Sequence, residues 1–152
     1  MKFMVLQQLG HLPIVVINGY FPNLSIKTVL CSITERVLGE RVTFRNNLEH
    51  AEAIAKQFPA RGKNKMIVLV HSIDGPSMRG SKVQTILSKL AAAPNIHVVA
   101  SCDHINVGIM WDSVMTSRYS FVWHDLTTFA FYDAETSYET SLFGTYRGYN
   151  IY

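Results

Sequence analysis

The chain has 152 residues, of which 48% are hydrophobic and 16% charged, and its formal net charge is +3. This composition excludes disordered and fibrous classes and fits one folded domain. No apolar run approaches the roughly 18 residues of a transmembrane helix, so we expect no membrane partner. Two cysteines in unrelated contexts, Cys31 and Cys102, favour a reducing compartment over a disulfide scaffold.

The amino-terminal part predicts a buried strand and a helix. Ile14–Ile17 is apolar at every position, as in parallel strands covered on both faces. A helix follows, beginning at Asn23 or Ser25 and reaching about Leu38, and Gly39 is its expected stop.

The rest of the chain continues the alternation of helices and strands. Helical spacing and capping residues predict helices, and β-branched runs predict strands. The predicted helices are Asn47–Phe58 (with Asn47 as its cap), Ser81–Ala93 and Ile109–Tyr119, and the predicted strands are Met66–Val70, Ile96–Ser101 and Phe121–Trp123. This order indicates an α/β fold with a mainly parallel sheet and right-handed crossovers.

Residues 66–106 have the strand, turn, helix and strand order of an α/β ATPase, but they lack the acidic pair that would hold magnesium. A Mg²⁺-binding strand should be followed by carboxylates, because Mg²⁺ needs hard oxygen ligands. His71 and Ser72 stand in that place instead, and Asp74 comes later, in an Asp-Gly-Pro turn. Asn106 follows the third strand, where a nucleotide sensor would lie. We interpret His71, Asp74 and Asn106 as degenerate Walker B and sensor positions.

The only candidate for a phosphate-binding loop is residues 19–28. Its Lys27-Thr28 pair matches the end of a P-loop, but Ile26 replaces the required glycine and the spacing is too long. Tyr20 and Phe21 would also obstruct the approach of the backbone to phosphate. An ordinary strand-to-helix turn is the better interpretation, and we expect no cofactor.

Other reactive side chains give weak signals. Cys102-Asp103-His104 follows the third strand, where ligand sites form in α/β folds, but no zinc-type spacing supports a metal site. Hydrogen-bonded loop residues are the favoured interpretation. His71 and His97 lie beside or inside apolar strands, so we expect them in the core or lining a subsite.

Four segments carry a resemblance to a known family. VINGYFPNLSIKTVLCSITERVL, IVLVHSIDGPSMRG, VVASCDHINVGIMWD and FVWHDLTTFAFYDAETSYETSL resemble subunit 2 of the eukaryotic origin recognition complex. The resemblance covers about residues 12–143, and its SxDHxNxxxMWD and TxxxxYxxETSYExSL patterns are specific.

The resemblance implies a partial RecA/AAA+-like fold over residues 1–143, followed by a divergent tail over residues 144–152. The segment IVVING would then be the second core strand. We expect the first core strand and the winged-helix domain of the family to lie outside this chain, which would leave an unpaired strand edge.

The resemblance also implies a function. It predicts a non-catalytic, nuclear subunit of the origin recognition complex that binds replication origins and supports loading of the replicative helicase. The implied partners are the other subunits, subunit 3 among them, origin DNA through the complex, and helicase-loading factors. In the family, a contact with DNA lies between the second and third core strands. The resemblance therefore makes Tyr20, Phe21, Lys27 and Arg36 the candidate DNA-contacting residues of this chain.

Two alternatives stay open at this point. One is a degenerate P-loop NTPase with residual ATP hydrolysis through Lys27, Asp74 and Asn106. The other is a free-standing DNA-binding module, whose affinity would fall steeply with salt because binding releases counterions.

Overall fold

The structure is a computed structural model that describes residues 12–39, 42 and 44–136. These residues contain three strands, five α-helices, a π-helical turn at Thr34–Leu38 and a 3-10 helix at Val107–Met110. In chain order the strands and α-helices are β1 (Ile14–Asn18), α1 (Ile26–Ile33), α2 (Asn47–Lys56), β2 (Met66–His71), α3 (Ser81–Ala91), β3 (Ile96–Ala100), α4 (Ser113–Tyr119) and α5 (Asp133–Thr136).

The chain divides into two compact units between Phe121 and Val122. The first unit holds all three strands and helices α1 to α4, and the described part of the second holds α5. The predicted boundary between residues 143 and 144 lies outside the described residues. Within the described ranges, no helix is long and apolar enough to cross a bilayer.

The sheet is parallel and has the order β1-β2-β3. Val15 pairs with Val68 and Val68 with Val98, which fixes the register of all three strands. The first five residues of β2 are buried, because β2 is the central strand and its apolar sequence needs cover on both faces. The predicted α/β class with a mainly parallel sheet is confirmed.

Both crossovers advance in the same direction along the sheet, so right-handed connections place their helices on one face. The core lies on that face. Met66, Val68 and Val70 of β2 join there with buried residues of α1 to α4. An ion pair between Lys89 and Glu52 links α3 to α2.

The helix ends follow local capping chemistry. Ser25 caps α1 by accepting a hydrogen bond from the Lys27 amide at 3.3 Å, as one of the two predicted caps. The helix then widens into the π-helical turn and ends at Gly39, whose φ of 72° is the left-handed conformation that glycine favours. The cap of α2 is Asn46, not the predicted Asn47, because the Asn46 side chain accepts from the Leu48 amide at 3.0 Å.

Three other predictions are wrong. Phe121–Trp123 is not a strand in the described structure; Ser120 turns the chain with a φ of 46°, and the Phe121 ring stacks on Tyr119 at 4.7 Å. The predicted helix Ile109–Tyr119 is split between the 3-10 helix and α4, with Asp112 capping α4. For His97 only the core alternative is wrong, because the residue is exposed on β3, a strand at the edge of the described sheet.

Candidate functional site

The loops that follow the three strands meet at one edge of the sheet, because the strands are parallel. We call the segments that begin at Gly19, Ser72 and Ser101 the edge loops. They occupy the place where α/β proteins bind ligands, outside the carboxyl ends of the strands. The geometry of the edge loops therefore decides whether a nucleotide site exists here.

The first two edge loops touch through their backbones. The Gly19 amide donates to the His71 carbonyl oxygen at 2.7 Å, and the Ser77 hydroxyl donates to the Gly19 carbonyl oxygen at 2.9 Å. A Cβ on Gly75 would lie 2.3 Å from the Gly19 oxygen, and one on Gly19 would lie 2.3 Å from the Ser72 oxygen. Only glycine fits at either position, so the backbones of the first two edge loops pack directly against each other.

Ser72 ties the second edge loop to the third. Its φ of 50° is left-handed, a conformation that non-glycine residues adopt only when their surroundings hold them there. The Ser72 amide donates to the Ser101 hydroxyl at 3.1 Å, and the Ser72 hydroxyl donates to the Asp103 carboxylate at 3.0 Å. The Ile73 amide adds a bond to the Ser101 carbonyl oxygen at 2.9 Å.

Asp74 uses its carboxylate to hold the third edge loop. The side chain is buried, with 8% exposure, and accepts from the Asp103 amide at 3.2 Å and the His104 amide at 2.8 Å. The Arg79 guanidinium donates to the Asp74 carbonyl oxygen at 3.2 Å. A carboxylate bound to two backbone amides is a structural clamp, and its bonds compete with any metal ligation.

The three degenerate Walker B and sensor positions belong to the same edge but differ in role. His71 ends β2 and contributes its backbone oxygen to Gly19. The Asn106 side chain is exposed, and the backbone N–H of Asn106 donates to the His104 Nδ1 at 3.0 Å. A chain of contacts thus runs from Asp74 through His104 to Asn106. Among the described residues, no group of three or more His, Cys, Asp or Glu side chains is placed to hold a metal ion.

The Cys102-Asp103-His104 segment is part of this network. Partial burial of the sulfur, with the Asp74 and Asp103 carboxylates nearby, raises the pKa of the Cys102 thiol. A raised pKa keeps the thiol protonated at neutral pH, and the thiol is a poor nucleophile. The geometry agrees with hydrogen-bonded loop residues.

A buried glutamine behind the edge loops was not predicted from the sequence. Gln84 of α3 has no solvent exposure. Its side-chain amide donates to the Ile73 and Met78 carbonyl oxygens at 3.0 and 2.9 Å. Its oxygen accepts from the Trp111 indole at 2.8 Å and the Tyr119 hydroxyl at 2.9 Å. Gln84 therefore fastens the second edge loop to the helical core.

A signal for Gln84 exists in the sequence. It lies three positions before Leu87, on the buried face of α3, and a polar residue on such a face needs buried partners. Burial raises the pKa of the Tyr119 phenol well above its usual range, so its hydroxyl stays a donor to Gln84 at neutral pH.

The candidate DNA contacts fall into two places. Tyr20 and Phe21 stack on each other with ring centroids 5.5 Å apart, directly after β1. Lys27 is exposed in the first turn of α1, close in sequence to that pair. Arg36 is exposed in the π-helical turn, nine residues further on and roughly 13 Å along the helix axis. Tyr20 and Phe21 thus form one stacked pair, and Lys27 and Arg36 lie near opposite ends of the helix that follows.

Comparison with known proteins places these features in a family. Residues 2–126 match the family model described as the origin recognition complex subunit 2 RecA-like domain. The chain is 42% identical over 128 residues to origin recognition complex subunit 2 of Xenopus laevis, covering 84% of this chain and 23% of that protein. The Saccharomyces cerevisiae subunit 2 is 31% identical over 138 residues, covering 86% of this chain and 22% of that protein.

Solved structures agree with the sequence comparison. A chain in the structure of Drosophila ORC bound to AT-rich DNA and Cdc6 superposes with a TM-score of 0.84 at 37% identity, covering 91% of this chain and 48% of that one. A chain of Drosophila ORC bound to DNA gives 0.84 at 36% identity, covering 90% and 78%. The chain spans less than a quarter of the length of the curated relatives named above. It belongs to the origin recognition complex subunit 2 family and contains a RecA-like domain of that family.

Proposed function

We propose that this protein is a non-catalytic subunit of a nuclear origin recognition complex, which binds replication origins and supports loading of the replicative helicase. The observation that carries the proposal is the state of the edge loops. The carboxylate nearest the Walker B position, that of Asp74, accepts from two backbone amides. The backbones of Gly19 and Gly75 are in close contact. These contacts bind the edge loops to one another, which fits a structural role better than a catalytic one.

The partners in this proposal are sister subunits, including subunit 3, together with origin DNA and helicase-loading factors. Support comes from the relatives, since chains of similar sequence and fold occur in Drosophila ORC bound to DNA, and to DNA with Cdc6. Within this chain, Tyr20, Phe21 and Lys27 are the proposed DNA-contacting group. Arg36 is a separate candidate, because it lies at the far end of the helix.

Assembly is the first test of the proposal. The full chain, co-expressed with the sister subunits of its own organism, is expected to co-purify as a stoichiometric complex that binds duplex DNA. Binding by the complex should weaken when Tyr20 and Lys27 are both changed to Ala, while Lys63→Ala, an exposed lysine in the loop before β2, serves as the control. A chain that never co-purifies with its sister subunits contradicts the proposal.

Nucleotide turnover is the second test. A phosphate-release assay on the full chain should give the rate of buffer alone, and titration with a fluorescent ATP analogue should show no saturable micromolar binding. The opposite result is a release rate above buffer that disappears in Lys27→Ala, and it would support the degenerate NTPase with Lys27, Asp74 and Asn106 as its residues.

A further inference from the structure

The third edge loop carries two large apolar side chains that point away from the protein core. Ile105 is 93% exposed and Ile109 is 83% exposed. Three residues separate them, and two of these, Val107 and Gly108, belong to the 3-10 helix Val107–Met110 that also contains Ile109. We call these two residues the isoleucine tip.

The backbone beneath the isoleucine tip is fixed. Asp74 binds the amides of Asp103 and His104. The Val107 amide donates to the His104 carbonyl oxygen at 3.1 Å, and the Val107 side chain is buried at 4% exposure. A docking partner would therefore bind the tip with little loss of backbone freedom, which is the condition that lets a small apolar surface contribute strongly to binding.

The charge around the tip selects the class of partner. Residues 90–117 contain Asp103 and Asp112 and no lysine or arginine, although the whole chain is basic. This net negative charge repels a phosphate backbone and attracts basic side chains.

We propose that the isoleucine tip docks into an apolar pocket rimmed by lysine or arginine on a neighbouring protein subunit. The inference rests on the proposed function, because it assumes that this chain assembles with sister subunits. It adds to that function a surface separate from the Tyr20, Phe21 and Lys27 group. The edge loops would thus serve to hold two apolar anchors in place for a protein contact.

The test is the double variant Ile105→Asp with Ile109→Asp in the full chain, co-expressed with the sister subunits. We expect at least about a tenfold loss of affinity for one sister subunit, as for anchor residues at an interface centre, and a wild-type affinity that weakens with added salt. Val114→Asp is the matched control: Val114 is a 52% exposed apolar residue of α4, and its change should alter affinity by less than about twofold. Equal melting temperatures of the wild type and the double variant verify folding.

Photo-crosslinking gives a second measurement that does not depend on loss of binding. With p-benzoylphenylalanine in place of Ile105, we expect a crosslink to one sister subunit, at a peptide that contains lysine or arginine beside apolar residues. A crosslink to DNA, or a double variant that assembles as well as the wild type, overturns the docking inference alone. Failure of the wild-type chain to assemble overturns the proposed function and the docking inference together.

Discussion

Two regions of this protein place their polar and apolar groups in opposite ways. In the second edge loop the polar side chains of Ser72 and Asp74 are hydrogen-bonded and buried, at 6% and 8% exposure. In residues 122–136 the large side chains are apolar and face outward, with Val122 at 80% and Phe131 at 89% exposure. The difference teaches that the edge loops supply stability to the fold, whereas the later segment contributes little burial of its own. Substitutions in the two regions should therefore differ widely in effect.

The largest effect is expected from Gln84→Leu. The change removes the side-chain hydrogen bonds of residue 84 to the Ile73 and Met78 carbonyls, the Trp111 indole and the Tyr119 hydroxyl, although Tyr119 keeps its bond to the backbone carbonyl of residue 84 at 3.2 Å. The loss of buried hydrogen bonds is costly. We expect the free energy of unfolding of the full chain to fall by about 4 kcal/mol. Chemical denaturation measures it.

Gln57→Leu is the control for that variant. Gln57 is the exposed residue that ends α2, so its substitution should change stability by less than about 0.5 kcal/mol. Equal losses for the two variants would show that the Gln84 network does not hold the edge loops.

The next effect is a steric one at Gly75. A Cβ there would meet the Gly19 carbonyl oxygen at 2.3 Å, so Gly75→Ala must push the first two edge loops apart, at about 3 kcal/mol. Gly108→Ala is the matched control, because nothing lies within 4 Å of its added Cβ. Thermal melting distinguishes the two, and a Gly75→Ala protein as stable as Gly108→Ala would mean that the loops are not in backbone contact.

A smaller effect depends on pH. His50 is buried, its Nε2 lies 2.6 Å from the Thr34 hydroxyl, and its ring stacks on Phe44 at 4.3 Å. Burial lowers the pKa of His50 below its usual 6.5. The unfolded chain therefore takes up a proton first, and stability is lost as the pH falls from about 6.5 through the folded pKa.

Urea titrations between pH 7.5 and 5, a range of about 2.5 units around the histidine pKa, measure that loss. His50→Asn should remove most of the slope, while His97→Asn, at an exposed histidine of β3, should keep it. A slope that persists unchanged in His50→Asn would assign the pH dependence to other groups.

The smallest effect is expected in the second region. Phe131→Ser should change the free energy of unfolding by less than about 0.5 kcal/mol, because the ring is already in solvent. Phe58→Ser, at a phenylalanine of 1% exposure, should cost about 4 kcal/mol. Similar losses for the two would remove the contrast between the regions.

The sequence predicted the three strands and the core helices because their apolar residues recur at the periods of strands and helices. It could not predict the clamp of Asp74 on residues 29 and 30 positions away, since that contact depends on the parallel register. Gln84 was missed because periodicity counts only apolar residues. The predicted strand at Phe121–Trp123 failed because an aromatic cluster with Trp111 and Tyr119 replaces sheet pairing at Phe121.

Hydrogen exchange at the amides of Asp103 and His104 tests the central claim, that the edge loops are closed by the chain itself and not by nucleotide. Exchange would be followed in the full chain with and without ATP and Mg²⁺, using Asp74→Asn as the variant that weakens the clamp. We expect both amides to be protected without nucleotide, unchanged by its addition, and faster to exchange in Asp74→Asn. Amides that exchange freely until ATP and Mg²⁺ are added would contradict the account, because the edge would then be a nucleotide site.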